Sequence, residues 1–430
     1  MLACIVHVRR FTLAAGLLAV VLWSVLARAA GPIPDVGVLG SGRTGEFAQV
    51  LEPRAFEFPR DHGPHPEYRQ EWWYVTGNLD SDTGERFGFE LTFFRFALVR
   101  ESAVGSAQVS ATKAAVAPAE ALAQESAMRL AQASPPAQAS AQSVSDRRES
   151  AWRTGQIYMA HFAITDVARG QFRFAQKLSR GAVGLAGAQI PPLRVWIDDW
   201  SLAAVPPDGT RWELHAAQSG YELTLDAEAL LQPVLNGDRG LSRKSNDYGS
   251  ASYYYSLPRV AVRGRLVRDG KALGVHGLAW VDREWGSGAL GHNEQGWDWF
   301  ALQLGDGSSL MFYALRNRDG RRDPNSGGTW ISATGQSRVL SSDQVRIDVL
   351  GYWTNPQGKR YPARWRVQVP TAGLDVEVRP VLANQELVAS ARYWEGAVDV
   401  TAASGGQKAS GRGYVELVGY WSGAAVLEPR

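Results

Sequence analysis

The stretch 280–307 reads WVDREWGSGALGHNEQGWDWFALQLGDG and gathers the residue types most suited to chemistry in this chain. Four tryptophans, Trp280, Trp285, Trp297 and Trp299, lie within twenty residues, and the charged triplet Asp282-Arg283-Glu284 sits between the first two. Large aromatic side chains favour burial, whereas charges resist it unless they are paired. If 272–284 is extended, the two-residue period of a strand puts His276, Trp280, Asp282 and Glu284 on one face and Leu273, Val275, Ala279 and Val281 on the other. A carboxyl group among tryptophans in an apolar cavity has a raised pKa and serves as a proton donor near neutral pH. Asp282 is therefore the candidate general acid, with Glu284 beside it. The competing reading is a structural brace, in which Asp282 and Glu284 pair with arginines such as Arg283, Arg259 or Arg316 at a barrel mouth.

Further candidates lie upstream. In YYYSLPR, 253–259, Tyr253 and Tyr255 share one strand face and Tyr254 takes the other. Tyrosines, with an apolar ring and a polar tip, suit a ligand cavity or a barrel wall equally. Tyr255 joins Asp282 and Glu284 as a catalytic candidate. Trp280, Trp285, Tyr253, Trp297, Trp299, His161 and His276 are the ligand-binding candidates. His161 stands among apolar residues in MAHFAITD, where a core histidine is the alternative. His62 and His65 in DHGPH are spaced for two metal ligands, but without convincing partners they read as a structural turn. No metal or cofactor is expected: the chain has no phosphate-binding Gly-rich loop, no His-Glu-x-x-His and no Gly-x-Ser-x-Gly elbow.

The elements that must position these residues are strands. Runs such as RFGFELTFFRF alternate, glycine turns separate them, and no long stretch keeps a helical period. One hairpin design recurs: Trp73 precedes Asp80 by seven residues and Trp299 precedes Asp306 by seven, each Asp opening a glycine turn. At 430 residues this predicts an all-β protein of two tandem antiparallel barrels. The first is expected over 51–244 and the second over 245–430. Residues 31–50 read as a flexible lead-in. Residues 101–150, rich in Ala, Ser, Gln and Pro and devoid of aromatics, read as a disordered insertion.

Residues 1–30 combine a basic start, an apolar run of sixteen residues and the small-x-small site ARA, the pattern of a cleavable export leader cut near Ala29 or Ala30. The single cysteine, Cys4, leaves with it, and with it any disulfide or thiol chemistry. The formal charge of +2 loses Arg9, Arg10 and Arg28 and becomes −1, which leaves no electrostatic footprint for nucleic acid. A periplasmic or secreted mature form that does not span the membrane is expected.

The segments EFPRDHGPHPEYRQEWWYVTGNL, AWRTGQIYMAHFAITD, RVWIDDWSL, GLSRKSNDYGSASYYYSLPR, WVDREWGSGALG and YWEGAVDV resemble the AttH-like secreted proteins, distant relatives of the carotenoid 1,2-hydratases (hydroxyneurosporene synthases). The resemblance implies two lipocalin-like barrels and a lipid-like or isoprenoid small molecule as ligand. It also implies a link to an export-type ABC transporter. In the hydratase branch an acid protonates an alkene without a cofactor, and that acid falls at Asp282. Those hydratases carry a histidine upstream of the acid; this chain has Tyr253-Tyr254-Tyr255 in that region. Two functions follow: a binding protein for an apolar or amphipathic molecule, or a cofactor-independent hydratase or hydrolase with Asp282 as general acid.

Overall fold

The structure, a computed structural model, describes residues 47–98, 155–205, 210–218, 220–288, 290–390, 392–403 and 410–421. The expected leader, its cleavage site and the insertion 101–150 lie outside them.

The two expected hairpins both form. Strand Gln70–Ser81 pairs with Arg86–Ala97 through a turn with Gly84 at φ 83°, and Glu294–Leu304 pairs with Ser309–Asn317 through a turn with Gly307 at φ 88°. At these two positions the left-handed backbone is one that glycine adopts without a Cβ penalty. Each hairpin begins a sheet built to one plan. The first sheet runs in the order Gln171–Ser179, Gln156–Asp166, Arg86–Ala97, Gln70–Ser81, Lys271–Gly286, Ala251–Arg268, Tyr221–Ala229, Arg211–Gln218, Trp200–Val205, Arg194–Ile197, Ala186–Gln189. The second runs Ser337–Ser341, Gly327–Ile331, Ser309–Asn317, Glu294–Leu304, Gly411–Leu417, Arg392–Ala402, Leu374–Pro380, Arg360–Val369, Arg346–Thr354. In each, the last long strand returns to pair with the first, so the sheet curls into a barrel or half-barrel. All ladders are antiparallel.

Three features differ from expectation. Strands Ala251–Arg268 and Lys271–Gly286 belong to the first sheet, so the sheets part between Gly286 and Glu294 rather than at 244/245. Edge pairing is the reason: the returning strand Lys271–Gly286 pairs with Gln70–Ser81 and covers its open edge. Neither sheet is closed by a ladder among the described residues. A short 3-10 turn, Ala182–Gly184 in one and Ser342–Gln344 in the other, stands where the fourth strand would meet the fifth. Lastly, the end of the expected lead-in packs on the first barrel, with Val50 in its core.

Each barrel has an apolar interior, but a third cluster lies between them. Tyr74, Tyr254, Trp280, Trp299, Met311, Tyr313, Ala397 and Tyr414 pack there, outer face against outer face. Strand Gln70–Ser81 is consequently buried almost throughout instead of on alternate residues. Polar ties cross the same seam: Asn78 Nδ2 donates to Gly413 O at 3.0 Å, Gln303 Nε2 to Ala279 O at 2.9 Å, and Arg412 pairs with Asp80 at 2.6 Å. Among the described residues no helix is long and apolar enough to cross a membrane.

Candidate active site

The seam between the barrels holds the chemistry. Strand Lys271–Gly286 lies between Gln70–Ser81 and Ala251–Arg268, and its register sets Asp282 opposite Tyr74 and Ser256, and Glu284 opposite Trp72 and Tyr254. Val275, Ala279, Val281 and Trp285 turn into the first barrel. Trp280, Asp282 and Glu284 turn outward, toward the second. Asp282 is almost wholly buried and meets three donors: Ser256 Oγ at 2.5 Å and Trp280 Nε1 at 2.7 Å on one oxygen, and the Tyr254 hydroxyl on the other. Trp299 Nε1, from the second barrel, donates to Tyr254 Oη at 3.1 Å. Burial outweighs these hydrogen bonds, and the charge of Glu284 adds to it, so the Asp282 carboxyl is pushed up to about 7.

Glu284 is held differently. Lys244 Nζ lies 2.9 Å from it and Ser252 donates to it. Burial alone would lower the Lys244 pKa, but the charge of Glu284 reverses the sign and keeps the ammonium charged. Lys244 also sits 4.6 Å over the Tyr313 ring, so a buried ion pair is seated on an aromatic face of the second barrel.

A second acidic group faces the first. Glu90 on Arg86–Ala97 and Glu395 on Arg392–Ala402 come one from each barrel, both buried. Tyr74 bonds Glu395 Oε1, and Tyr393 Oη lies 3.0 Å from Glu90 Oε1. Burial pushes Glu90 up to about 7; burial and the charges of Glu90 and Glu416 hold Glu395 well above the carboxylate range. Behind Tyr393, His161 Nδ1 lies 2.6 Å from the phenol oxygen, and burial lowers the His161 pKa to about 4.

Asp282, Glu284, Glu90, Glu395 and Glu416 all border one cavity of about 140 Å³. Trp72, Phe94, Phe96, Leu290, Trp297 and Leu315 supply its apolar wall. An apolar cavity with a few convergent polar groups is the usual form of a small-molecule site. Among the described residues no three His, Cys, Asp or Glu side chains are grouped to hold a metal ion. The arrangement has poised carboxyls, phenols and aromatic faces, which suit proton transfer to and from an apolar molecule.

A family model described as AttH-like matches residues 49–145 and 136–420. The chain belongs to the AttH-like family. The solved structure of a Nitrosomonas europaea protein assigned as AttH is 32% identical, covers 87% of this chain and 99% of its own, and superposes with a TM-score of 0.69. Kievitone hydratase from Nectria haematococca shares the fold at 12% identity, with 86% and 95% coverage and a TM-score of 0.58. Among curated proteins, the dehydratase asqC of Emericella nidulans is 23% identical over 220 residues, 49% of this chain. The match spans 61% of that protein's length.

In this AttH-like protein the expected site residues divide between the cavity and the barrel interior. Asp282, Glu284, Trp297 and Trp299 border the cavity, and Trp280 supports Asp282 from the side. His161 does not border it but stands behind Tyr393. Tyr255, Tyr253 and Trp285 face the interior of the first barrel, where Tyr255 Oη meets His62 Nδ1 at 2.6 Å and Tyr253 donates to Glu52 O at 2.9 Å. His276 is exposed near the hairpin end, beside Asp82.

The brace exists, but with other partners. Among the described residues Asp282 meets no arginine. Arg283 turns into the first barrel, where Nη2 pairs with Glu71 at 2.9 Å and donates to Gly63 O at 2.6 Å, and where its guanidinium lies 3.9 Å over the Trp73 ring. Arg95 binds the other oxygen of Glu71. Arg316 pairs with Asp298, and Arg259 donates to the carbonyls of Leu304 and Ser308. His65 stacks on Trp285 at 3.8 Å between Asp61 and Glu71, consistent with the structural turn expected for DHGPH.

The site residues missed from the sequence are Tyr254, Lys244, Tyr74, Glu90, Tyr393 and Glu395. Tyr254 had a signal: it lies on the opposite face from Tyr253 and Tyr255, the face shared with Ser252 and Ser256. Glu90 and Glu395 had only a weak one, a lone acid inside each of two aromatic runs, FELTFF and YWEGAV.

Proposed function

We propose that this protein carries out cofactor-free acid–base chemistry, of the hydration or dehydration type, on a small apolar molecule held between its barrels. The observation that carries the reading is Asp282: a buried carboxyl that forms no ion pair among the described residues, poised near neutrality on the wall of an apolar cavity. In the hydration direction its proton passes to one carbon of a double bond. The other carbon becomes electron-deficient and is steadied by the faces of Trp72 and Trp299. The oxygen of water bonds to that carbon, and the water's surplus proton returns to a carboxylate, so protons and electron pairs balance. Dehydration is the reverse. The distant likeness to a dehydratase and the fold shared with a hydratase support this reaction class. Export by residues 1–30 and service to an export-type transporter complete the proposal and rest on sequence alone.

The test begins with native mass spectrometry of protein purified from its own host, to recover a co-purifying small molecule. That molecule is returned to stripped protein in ¹⁸O-labelled water. Wild type should add labelled water, or catalyse exchange of label into a hydroxyl, while Asp282→Asn binds the molecule and leaves it unlabelled. Equal labelling by both proteins would remove Asp282 from the mechanism. Binding without labelling by either would favour the second reading, a carrier, which needs only the apolar wall of the cavity.

A further inference from the structure

The cavity wall is unbalanced in charge. Among the described residues five carboxyls border it, Asp282, Glu284, Glu90, Glu395 and Glu416, against one ammonium, Lys244. Lys244 is matched with Glu284 at 2.9 Å. Asp282 has three donors of its own. The other three acids come from strands Arg86–Ala97, Arg392–Ala402 and Gly411–Leu417.

Glu395 and Glu416 stand directly opposite each other in the ladder between their strands, and like charges so placed repel. Glu90 and Glu395 are each 1% exposed and form no ion pair among the described residues. Tyr74 donates to Glu395 Oε1, Tyr393 Oη lies 3.0 Å from Glu90 Oε1, and Trp297 Nε1 donates to Glu416 Oε2 at 2.8 Å. Glu395 Oε2 is different: no N–H or hydroxyl of the described residues donates to it, although it is buried on the cavity wall. A buried acceptor without a donor is costly, and so is a set of neighbouring acids. A ligand that brings N–H groups and positive charge relieves both. The rings of Phe94, Trp297 and Tyr393 border the same cavity, and aromatic faces attract a cation.

We propose that the cavity takes a protonated amine on an apolar body, its ammonium group held by Glu395, Glu90 and Glu416 among these rings. This rests on the reading of the cavity as the ligand site and names the class of molecule it receives. Tyr74 sets the placement: its Cα stands opposite Asp282 in the ladder and its hydroxyl meets Glu395, so an amine held at Glu395 lays its apolar body beside Asp282. A ligand with a carboxylate or phosphate head meets like charge and is refused. Burial pushes Glu90 up to about 7 and holds Glu395 well above the carboxylate range, so near neutral pH the free protein keeps protons that an arriving ammonium displaces. Tyr74, Tyr393 and Tyr414, the phenols facing these acids, stay neutral.

Three probes with one apolar body test the proposal: octylamine, octanol and octanoate, titrated calorimetrically into stripped protein near neutral pH and below micelle formation. Octylamine should bind about tenfold or more tighter than octanol, with octanoate weakest. Buffers of different ionisation enthalpy should reveal proton release with octylamine and none with octanol. Glu395→Gln keeps an acceptor for Tyr74 but removes the charge, so it should bring octylamine down to the affinity of octanol and leave octanol unchanged. Octanol or octanoate binding as tightly as octylamine would overturn the proposal. So would an amine preference kept in Glu395→Gln or lost in Asp282→Asn. If Glu395→Gln does not fold, the wild-type ranking of the three probes decides alone. A preference for octylamine without any labelling reaction would defeat the proposed chemistry and leave the amine standing; labelling without that preference would do the reverse. Binding of none of the three would overturn the cavity as a ligand site, and both readings with it.

Discussion

Tyr254 hydrogen-bonds Asp282 across two neighbouring strands of the first barrel, yet both residues point at the second. Trp299 of the second barrel closes the set by donating to Tyr254. The acid is thus built on one barrel and dried by the other, and its raised pKa is a property of the docked pair.

At about pH 4, where the folded protein keeps the Asp282 proton, Asp282→Asn should leave stability within about 1 kcal/mol of wild type, because Asp282 forms no ion pair among the described residues and the amide oxygen still accepts from Ser256 and Trp280. Turnover should be abolished. Urea unfolding and the labelling assay check the two halves; a loss of several kcal/mol would reveal an ionic role that the structure does not show.

Glu71→Gln should behave in the opposite way. Glu71 is fully buried and bridges Arg95 and Arg283, so the substitution leaves two buried guanidinium groups short of charge. A loss of about 3–5 kcal/mol is expected in urea unfolding. Burial works against the Glu71 charge, but Arg95, the His65 hydrogen bond and Arg283 hold its pKa well below the ordinary value of 4.5. Its contribution is therefore present above that value and lost as pH falls toward the depressed one, so the variant should show a weaker acid transition than wild type.

The pH dependence of Asp282 has the reverse sign. Its pKa is raised from 3.8 to about 7, so the folded protein keeps a proton that the unfolded chain has released between those values. Its contribution is full below 3.8 and lost as pH rises through about 7. His62 and His161, lowered from 6.5 to about 4, oppose this: their contribution is present above 6.5 and lost as pH falls. The two trends partly cancel in wild type, so the informative quantity is the difference from Asp282→Asn. From about pH 4 to about pH 8 wild type should lose on the order of a few kcal/mol relative to the variant. A flat difference would place the Asp282 carboxyl at its ordinary value.

Gly88→Val tests the seam itself. A Cβ at Gly88 would lie 2.7 Å from Ala397 Cβ of the other barrel. The wedge should part the barrels, abolish turnover and bring the Asp282 carboxyl back toward its ordinary range, while each barrel keeps its own interior. Infrared titration of the carboxyl band and the melting temperature check this; an unshifted band would mean that the seam does not control the acid.

Much of the fold was legible because a strand's period of two and its glycine turns are local. The two hairpins, the all-β class and the common face of His276, Trp280, Asp282 and Glu284 follow from spacing alone. The division between the barrels was not legible, because strand Lys271–Gly286 is placed by closure on Gln70–Ser81, a pairing set by distant residues.

Residue spacing along the chain is enough to tell which side chains share a strand face and that an acid stands among aromatics. Tertiary structure alone decided which of those faces is a site. Tyr253 and Tyr255 face a barrel interior that any closed sheet would fill, whereas Tyr254 faces a surface that only the second barrel covers. Glu90 and Tyr393 are 303 residues apart and share no local pattern. They meet because two curled sheets bury their outer faces on each other, which removes water from the carboxyls and raises their pKa values.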